Sequence, residues 1–233
     1  HHPPTPPPPF FFKRYVDHRD LHLSLRLQSQ MCIRDRSFKD LVVYCARVSN
    51  PKSQEEGKNI NKLWNYLKKH GHWSPFEMVD LCMEIECPRD ISRQLIRHRS
   101  FSFQEFSQRY SNPILEGLDL SFRETRLQDY KNRQNSIETE DESIIYKWVQ
   151  LQSKMRDVVL GLYSSAVDLG VAKEVARALL PEGMTNSRIY MKGSLRSWMH
   201  FIEVRSHESA QKEIREIANQ CDKIITDILE KNL

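Results

Sequence analysis

The sequence predicts an α+β fold, a small and mostly antiparallel sheet carrying several helices, and three observations predict it. Val79, Leu81, Met83, Ile85 and Cys87 alternate with Asp80, Cys82, Glu84 and Glu86, the period of two of a half-buried strand. Ile144, Trp148, Leu151, Met155, Val158, Leu162 and Ala166 recur at three- and four-residue spacing, the period of one long helix that ends at Gly170. Ala210, Ile214, Ile217, Cys221, Ile224 and Ile228 repeat that spacing in a second long helix over 209–229.

The remaining elements follow in chain order. His1 to Pro9 is nearly all His and Pro, Phe10 to Phe12 is a bare aromatic triplet, and Leu21 to Arg36 mixes charge without periodicity. The segment lacks the continuous apolar core of a signal peptide. Met31-Cys32-Ile33-Arg34-Asp35-Arg36 has the look of translated adapter sequence. We read 1–37 as a disordered or artefactual segment that replaces the native N-terminus, and 38–233 as one domain. Leu41 to Tyr44 is an apolar run that closes in a turn at Asn50-Pro51. Ile60, Leu63, Trp64 and Leu67 have helical spacing, and Gly71 ends that helix. Pro88 breaks the strand, and Ile91, Leu95 and Ile96 start a helix that carries Gln94 and Arg97. The polar stretch Ser111 to Glu142 reads as loop and short helix. Val171 to Leu180 is a short helix stopped by Pro181. Arg188 to Lys192 suits a strand, and Ser194 to Val204 a helix.

Composition narrows the function classes. A chain of 233 residues with 39% hydrophobic and 28% charged residues is long enough for a substantial core. A net charge of +4 suits anionic small ligands and is too weak to argue for nucleic acid. No apolar run approaches the ~20 residues of a membrane helix. The five cysteines (Cys32, Cys45, Cys82, Cys87, Cys221) form no Cys-x-x-Cys pair and read as reduced thiols of a cytoplasmic protein.

The chemistry is concentrated in Arg97-His98-Arg99-Ser100-Phe101-Ser102-Phe103-Gln104-Glu105-Phe106-Ser107-Gln108-Arg109-Tyr110. Clustered arginines repel unless an anion neutralises them, and guanidinium forks with hydroxyls are the donors a phosphate needs. Glu105 is an acceptor fit for a sugar or base. In order as well as content, this run resembles the long motif of the flavin-dependent thymidylate synthases, Arg-His-Arg-x-x-Ser-x-Asn-Glu-x-Ser-x-Arg-Tyr. Gln104 stands at the Asn position.

Four further segments carry the resemblance in the same order. His70-Gly71-His72-Trp73-Ser74-Pro75-Phe76-Glu77 is similar to the family's His-x-[Ser/Thr]-Pro-Phe-Glu. Ala176-Arg177-Ala178-Leu179-Leu180-Pro181 is similar to Ala-Arg-x-x-Leu-Pro. Ser194 to Phe201 with Arg205, and then Ala210-Gln211-x-Glu213-Ile214-Arg215, resemble the C-terminal block. Asn112 to Glu142 is unmatched. Met78 replaces a family His, Ser194 and His200 stand where asparagines often contact flavin, and Ser209 stands where His is common. The loop Glu182 to Ser187 is one residue longer than in some members.

The resemblance implies reductive methylation of dUMP to dTMP, with methylene-tetrahydrofolate as carbon donor and FAD, reduced by NAD(P)H, as hydride source. It implies that Arg205 is catalytic, stabilising uracil ionised at N3 so that C5 becomes nucleophilic; a pre-placed cation is a large catalytic contribution. It assigns Gln94, Arg97, Glu105, Phe106, Ser107, Gln108, Arg109, Arg177 and Arg205 to dUMP. It assigns Ser74, Arg97, His98, Arg99, Glu105, Ser194, Arg196 and His200 to FAD. Ser107 has no adjacent base, so it is a hydrogen-bond donor rather than a nucleophile. The resemblance also implies a homotetramer with active sites between subunits. It names no metal, no nucleic acid and no membrane.

Two other classes compete on the residues alone. One is a nucleotide- or nucleic-acid-binding module without catalysis, which would bind dUMP or RNA but carry no flavin. The other is a metal hydrolase built on His70, His72 and His98, although no Cys or carboxylate stands at a ligand spacing around the first two.

Overall fold

A computed structural model describes residues 25–29, 37–117 and 120–231. In chain order the elements are β1 (Leu25–Ser29), α1 (Phe38–Ala46), α2 (Pro51–Glu56), α3 (Ile60–Lys69), β2 (Asp80–Pro88), α4 (Arg89–Leu95), β3 (Ser102–Glu105), β4 (Arg126–Gln128), β5 (Ser136–Glu138), α5 (Glu142–Asp168), α6 (Lys173–Ala176), β6 (Asn186–Ser194), α7 (Leu195–Arg205) and α8 (Lys212–Lys231). Two 3₁₀ turns, Ser74–Met78 and Arg177–Leu179, complete the path.

The alternation at 79–87 forms the strand it predicts, and its partner comes from far along the chain. β2 and β6 run antiparallel for nine residues, with Asp80 opposite Ser194 and Pro88 opposite Asn186. β3 pairs on the other edge of β6, Phe103 opposite Met191, giving the order β1-β2-β6-β3. Leu81, Met83, Ile85, Ile189 and Met191 are buried beneath α1, α3, α4, α7 and α8, which supply Val42, Trp64, Ile91, Trp198, Phe201, Ile214 and Ile217 to one core. The indole of Trp198 donates to Leu81 O at 3.2 Å and so ties α7 to the sheet. The antiparallel sheet with helices is the α+β fold expected.

Five local readings change. Leu25–Ser29, placed above outside the domain, forms an edge strand with Leu25 opposite Ile85 and Ser29 opposite Leu81. The alternation Leu-Arg-Leu-Gln-Ser fits it to a long strand that otherwise has one free edge. Residues 1–24 and 30–36 of that segment lie outside the described residues. The run at 41–44 belongs to helix α1, which Ser37 caps by accepting from Asp40 N at 3.2 Å. Within 111–142, read as loop and short helix, Arg126–Gln128 and Ser136–Glu138 form a hairpin. The helix expected over 171–180 shortens to α6 and a 3₁₀ turn. Ala172 offers no side-chain cap, and Leu180 is extended ahead of Pro181. Glu84, on the outward side of the β2 alternation, is buried because Tyr190 Oη donates to it at 2.5 Å.

The long helix α5 exists as expected, capped by Asp141, which accepts from Ser143 N and Ile144 N. Its apolar stripe faces outward. Leu151 is 62% and Leu162 53% exposed, whereas Gln152, Val159 and Tyr163 are its buried residues. Val159 and Tyr163 join Leu120, Ala176 and Leu180 in a second, smaller cluster that seats α6.

Candidate active site

The arginine-rich turn lies between α4 and β3, and an aromatic residue inside it fixes its position. Phe101 is buried, edge-on to Trp198 at 4.8 Å and near Phe201 at 6.1 Å. Burying a phenyl ring contributes roughly 1.5–3 kcal/mol. The approach is close enough to require glycine on the neighbouring strand. A Cβ at Gly193 would fall 2.5 Å from Phe101 Cδ1. Phe101 thus pins Arg97 to Ser100 against the sheet and the C-terminal half of α7.

That docking brings His98 to Arg205. Arg205 Nε donates to His98 Nε2 at 2.8 Å, and the imidazole stands edge-on to Phe201 at 5.1 Å. Burial, the Arg205 guanidinium and His200 together push the His98 pKa down to about 4. His98 is therefore neutral near pH 7, with its proton on Nδ1, because Nε2 must accept. Burial, and then repulsion from Arg97, also lowers the Arg205 pKa, although a guanidinium stays charged. Nη1 and Nη2 of Arg205 have no hydrogen-bond partner among the described residues. Arg97 and Arg99 are exposed, and neither pairs with a carboxylate among the described residues.

Gln94, on the last turn of α4, donates Nε2 to Gln211 Oε1 at 2.8 Å. Glu105, at the end of β3, is held by one oxygen. Its Oε1 accepts from Ser92 Oγ at 2.8 Å and Ser187 Oγ at 2.9 Å and lies 3.7 Å from Arg89 Nη1. Phe106 N donates to Arg188 O, which closes the end of the sheet.

Beside the turn is a cavity of about 330 Å³ lined by Glu77, Asp80, Ser100, Ser102, Lys192, Gly193, Ser194 and Ser197. Ser194 caps α7, accepting from Ser197 N at 3.2 Å, and Ser197 Oγ donates to Ser100 O at 3.4 Å. Arg196 Nη1 pairs with Glu77 at 2.9 Å, and Ser74 is exposed at the start of the same 3₁₀ turn as Glu77. Lys192 pairs with Asp80 at 3.1 Å. His200 is exposed on α7.

A second basic cluster forms around Glu174. Arg109 Nε lies 3.4 Å from Glu174 Oε2, Arg177 Nε donates to Glu174 O at 3.2 Å, and Lys173 Nζ donates to Tyr110 O at 3.1 Å. No hydrogen bond, ion pair or ring contact among the described residues joins Arg109 or Arg177 to Arg205. Ser107 accepts from Arg109 N at 3.4 Å, and Gln108 is buried with no hydrogen-bond partner for its Nε2 among the described residues.

The chain matches the family described as thymidylate synthase complementing protein over residues 33–229. It is 48% identical over 188 residues to the flavin-dependent thymidylate synthase of a Synechocystis species, covering 81% of this chain and 84% of that protein. The chain belongs to the flavin-dependent thymidylate synthase family. It is 42% identical over 186 residues to a probable flavin-dependent thymidylate synthase of Paramecium bursaria Chlorella virus 1, covering 80% and 84% of the two chains. Its fold is that of a UMP/dUMP methylase, PolB from Streptomyces cacaoi, solved with 5-bromo-dUMP, at a TM-score of 0.75 and 26% identity over 90% of this chain and 92% of that one. These relatives make this chain an enzyme of the flavin-dependent thymidylate synthase kind.

Of the residues expected at a flavin-dependent thymidylate synthase site, the structure brings Arg97, His98 and Arg205 together and pairs Gln94 with Gln211. It sets Ser74, Ser194 and Arg196 around or beside the cavity, and Arg109 and Arg177 in the second cluster on Glu174. Three of the departures from the family pattern are peripheral in this chain, whereas Ser194 is buried and lines the cavity. Gln104 faces outward on β3, Met78 is 57% exposed, and Ser209 bonds His207 Nδ1 at 2.9 Å in the turn after α7. His70 and His72 sit 6.3 Å apart beside Tyr66, and no three His, Cys, Asp or Glu side chains converge on a metal position among the described residues. Sequence reasoning gave no role to Phe101, Lys192 or Gln211. For Phe101 the signal was an aromatic inside a polar motif, and for Gln211 its place in the matched C-terminal segment; Lys192 gave none short of three-dimensional contact.

Proposed function

We propose that this chain converts dUMP to dTMP by reductive methylation, with methylene-tetrahydrofolate as carbon donor and FAD, reduced by NAD(P)H, as hydride source. The observation that carries the reading is the Arg205–His98 pair. It spends one nitrogen of the guanidinium on orientation and leaves the two terminal nitrogens for a ligand.

Pyrimidine C5 is a weak nucleophile unless electron density is pushed into the ring. A route through an enzyme thiolate finds little support in the cysteines. Burial pushes the Cys87 and Cys221 thiols far up, and burial also raises Cys82 despite Lys192 nearby. A cation held at the uracil edge achieves the same end by stabilising negative charge on N3, and Arg205 is that cation. Because His98 is neutral, it orients Arg205 without adding a second positive charge that the uracil would have to share. Electrostatic stabilisation by preorganised donors is worth about 10²–10³ in turnover per donor.

The residues present fit FAD. Guanidiniums of Arg97 and Arg99 with no carboxylate partner among the described residues, next to a cavity lined by four serines and by Lys192, whose charge Asp80 pairs, suit a pyrophosphate-bearing group. Ser74, Arg97, His98, Arg99, Glu105, Ser194, Arg196 and His200 would hold it. Bound there, FAD would supply hydride equivalents taken from NAD(P)H. Gln94, Arg97, Glu105, Phe106, Ser107, Gln108 and Arg109 would bind dUMP with Arg205, and Arg177 would bind its phosphate. We further propose a homotetramer with sites between subunits. Its support is the outward apolar stripe of α5 and the lack of any contact between Arg177 and Arg205 among the described residues. The described cysteines Cys45, Cys82, Cys87 and Cys221 are free, which suits a reducing cytoplasm. Among the described residues no helix is long and apolar enough to cross a membrane.

The test is the absorbance spectrum of the purified protein followed by turnover with dUMP, methylene-tetrahydrofolate and NADPH. Oxidised-flavin bands and dTMP are expected. Tight dUMP binding with no flavin and no dTMP would instead make this a nucleotide-binding module.

A further inference from the structure

Gln94 is expected to meet the nucleotide, yet an amide offers a donor at one end and an acceptor at the other, and which end it presents decides what it can recognise. We infer that Gln211 and Glu213 are positioning residues that lock the Gln94 amide with its carbonyl toward the nucleotide. This rests on the proposed dUMP site and adds to it a polarity relay.

The relay begins at Glu213 in the first turn of α8, which is 2% exposed. Arg123 Nη1 lies 3.3 Å from its carboxylate, and Arg126 Nη2 donates to the same oxygen. Burial alone would raise the Glu213 pKa, but a backbone hydrogen bond and these two guanidiniums outweigh burial and hold it below the usual range. Glu213 is therefore ionised at neutral pH and can only accept. Gln211 Nε2 donates to Glu213 Oε2 at 2.9 Å. With its NH₂ committed there, Gln211 can offer only its carbonyl in the other direction. Gln94 Nε2 donates to that carbonyl at 2.8 Å.

The orientation of an amide is ordinarily ambiguous because its oxygen and nitrogen are alike in shape. Here each step follows from the one before. Reversing Gln94 would set two carbonyl oxygens against each other, and reversing Gln211 would set a carbonyl against a buried carboxylate. Gln94 is left presenting Oε1, an acceptor for an N–H or O–H donor of the nucleotide, together with its second amide hydrogen. The relay also extends outward. Arg123 Nε donates to Gly183 O and Nη2 to Asp90, so the segment that lacks the family pattern is connected to the nucleotide pocket through Glu213.

Two variants test the relay with little change in shape. Glu213→Gln keeps the size but can both donate and accept, so it no longer imposes a direction. Gln211→Leu removes the middle step. In protein labelled with ¹⁵N-glutamine, the Gln94 side-chain amide pair, identified by its loss in Gln94→Ala, should shift in both variants. The Kd for dUMP, measured by calorimetry on flavin-loaded protein, should rise about three- to tenfold in Gln211→Leu, the range of one neutral hydrogen bond. In a Gln94→Ala background the same change should add almost nothing, since the two residues act as one unit. A Gln94 amide signal unmoved by either variant, or an equal loss of affinity with and without Gln94, would overturn the relay. A wild-type protein that does not bind dUMP would count against the proposed function alone, and the amide signals would still decide the relay.

Discussion

Arg205 donates its Nε–H to Nε2 of His98 across 2.8 Å, joining the last turn of α7 to the arginine-rich turn before β3. The bond has a required polarity. A guanidinium cannot accept, so the imidazole must be neutral, and its depressed pKa of about 4 secures that state. Protonation of His98 would break the contact and place two cations together.

The first expected consequence is a pH dependence. In the unfolded chain His98 takes a proton near its ordinary value of 6.5; in the folded protein it resists until about 4. Between those values the unfolded state binds more protons, so the His98 contribution to stability is full above pH 6.5 and is lost as pH falls toward 4. Denaturant titrations across this window should show a shallower acid decline in His98→Asn than in wild type. Parallel curves would mean that His98 is not held neutral by its surroundings.

On the flavin side, the two departures should separate. Ser194→Ala removes the α7 cap and should cost roughly 1 kcal/mol, a fall in Tm of about 2–4 °C for a chain of this length. His200 is exposed, so His200→Ala should leave Tm unchanged and raise the FAD dissociation constant while sparing dUMP binding. Thermal scans and flavin titrations distinguish the pair. Unchanged flavin retention in His200→Ala would remove His200 from the cofactor site.

Arg109→Ala and Arg177→Ala should each weaken dUMP binding by roughly 1.5–3 kcal/mol, the range for a hydrogen bond to a charged group, with much smaller effects on FAD. Both now lean on Glu174, so Glu174→Ala should not reproduce the loss. Nucleotide titration into the flavin-loaded variants checks this. An equal loss in Glu174→Ala would show that the arginines serve the fold instead.

Leu162→Asp places a charge in the exposed apolar stripe of α5, where it should dissociate the proposed tetramer without unfolding the subunit. Light scattering should report a smaller species with the circular dichroism of wild type. Retention of the full mass would locate the subunit interface elsewhere.

The period-two and period-three-to-four patterns made β2, α5 and α8 legible in the sequence, because each repeat runs along the element itself whatever packs against it. What escaped depends on contacts from afar. Ser102–Glu105 alternates too weakly to show as a strand until Ile189 to Lys192 arrives beside it. The hairpin at 126–138 has strands of only three residues, with Leu127 opposite Ile137 as its one apolar pair, and declares itself only by pairing. The α5 stripe has the spacing of a core helix but faces outward, and periodicity alone does not say which side of a helix the rest of the chain covers. At the site, residue types and their order pointed to Arg97, His98 and Arg205. The pairing of His98 with Arg205, the pinning by Phe101 and the Gln94–Gln211 contact needed three dimensions.

The account stands most directly on Arg205→Lys, followed in both half-reactions of one preparation. Lysine keeps the charge but loses the fork, and with it both the His98 bond and the paired terminal donors. Reduction of bound flavin by NADPH should proceed at close to the wild-type rate, since it does not ionise the uracil. The dUMP dissociation constant should rise only modestly, while dTMP formation should fall by about a hundredfold or more, as for an interaction made chiefly in the transition state. Near-normal dTMP turnover in Arg205→Lys would contradict the catalytic role and leave Arg205 as a binding residue.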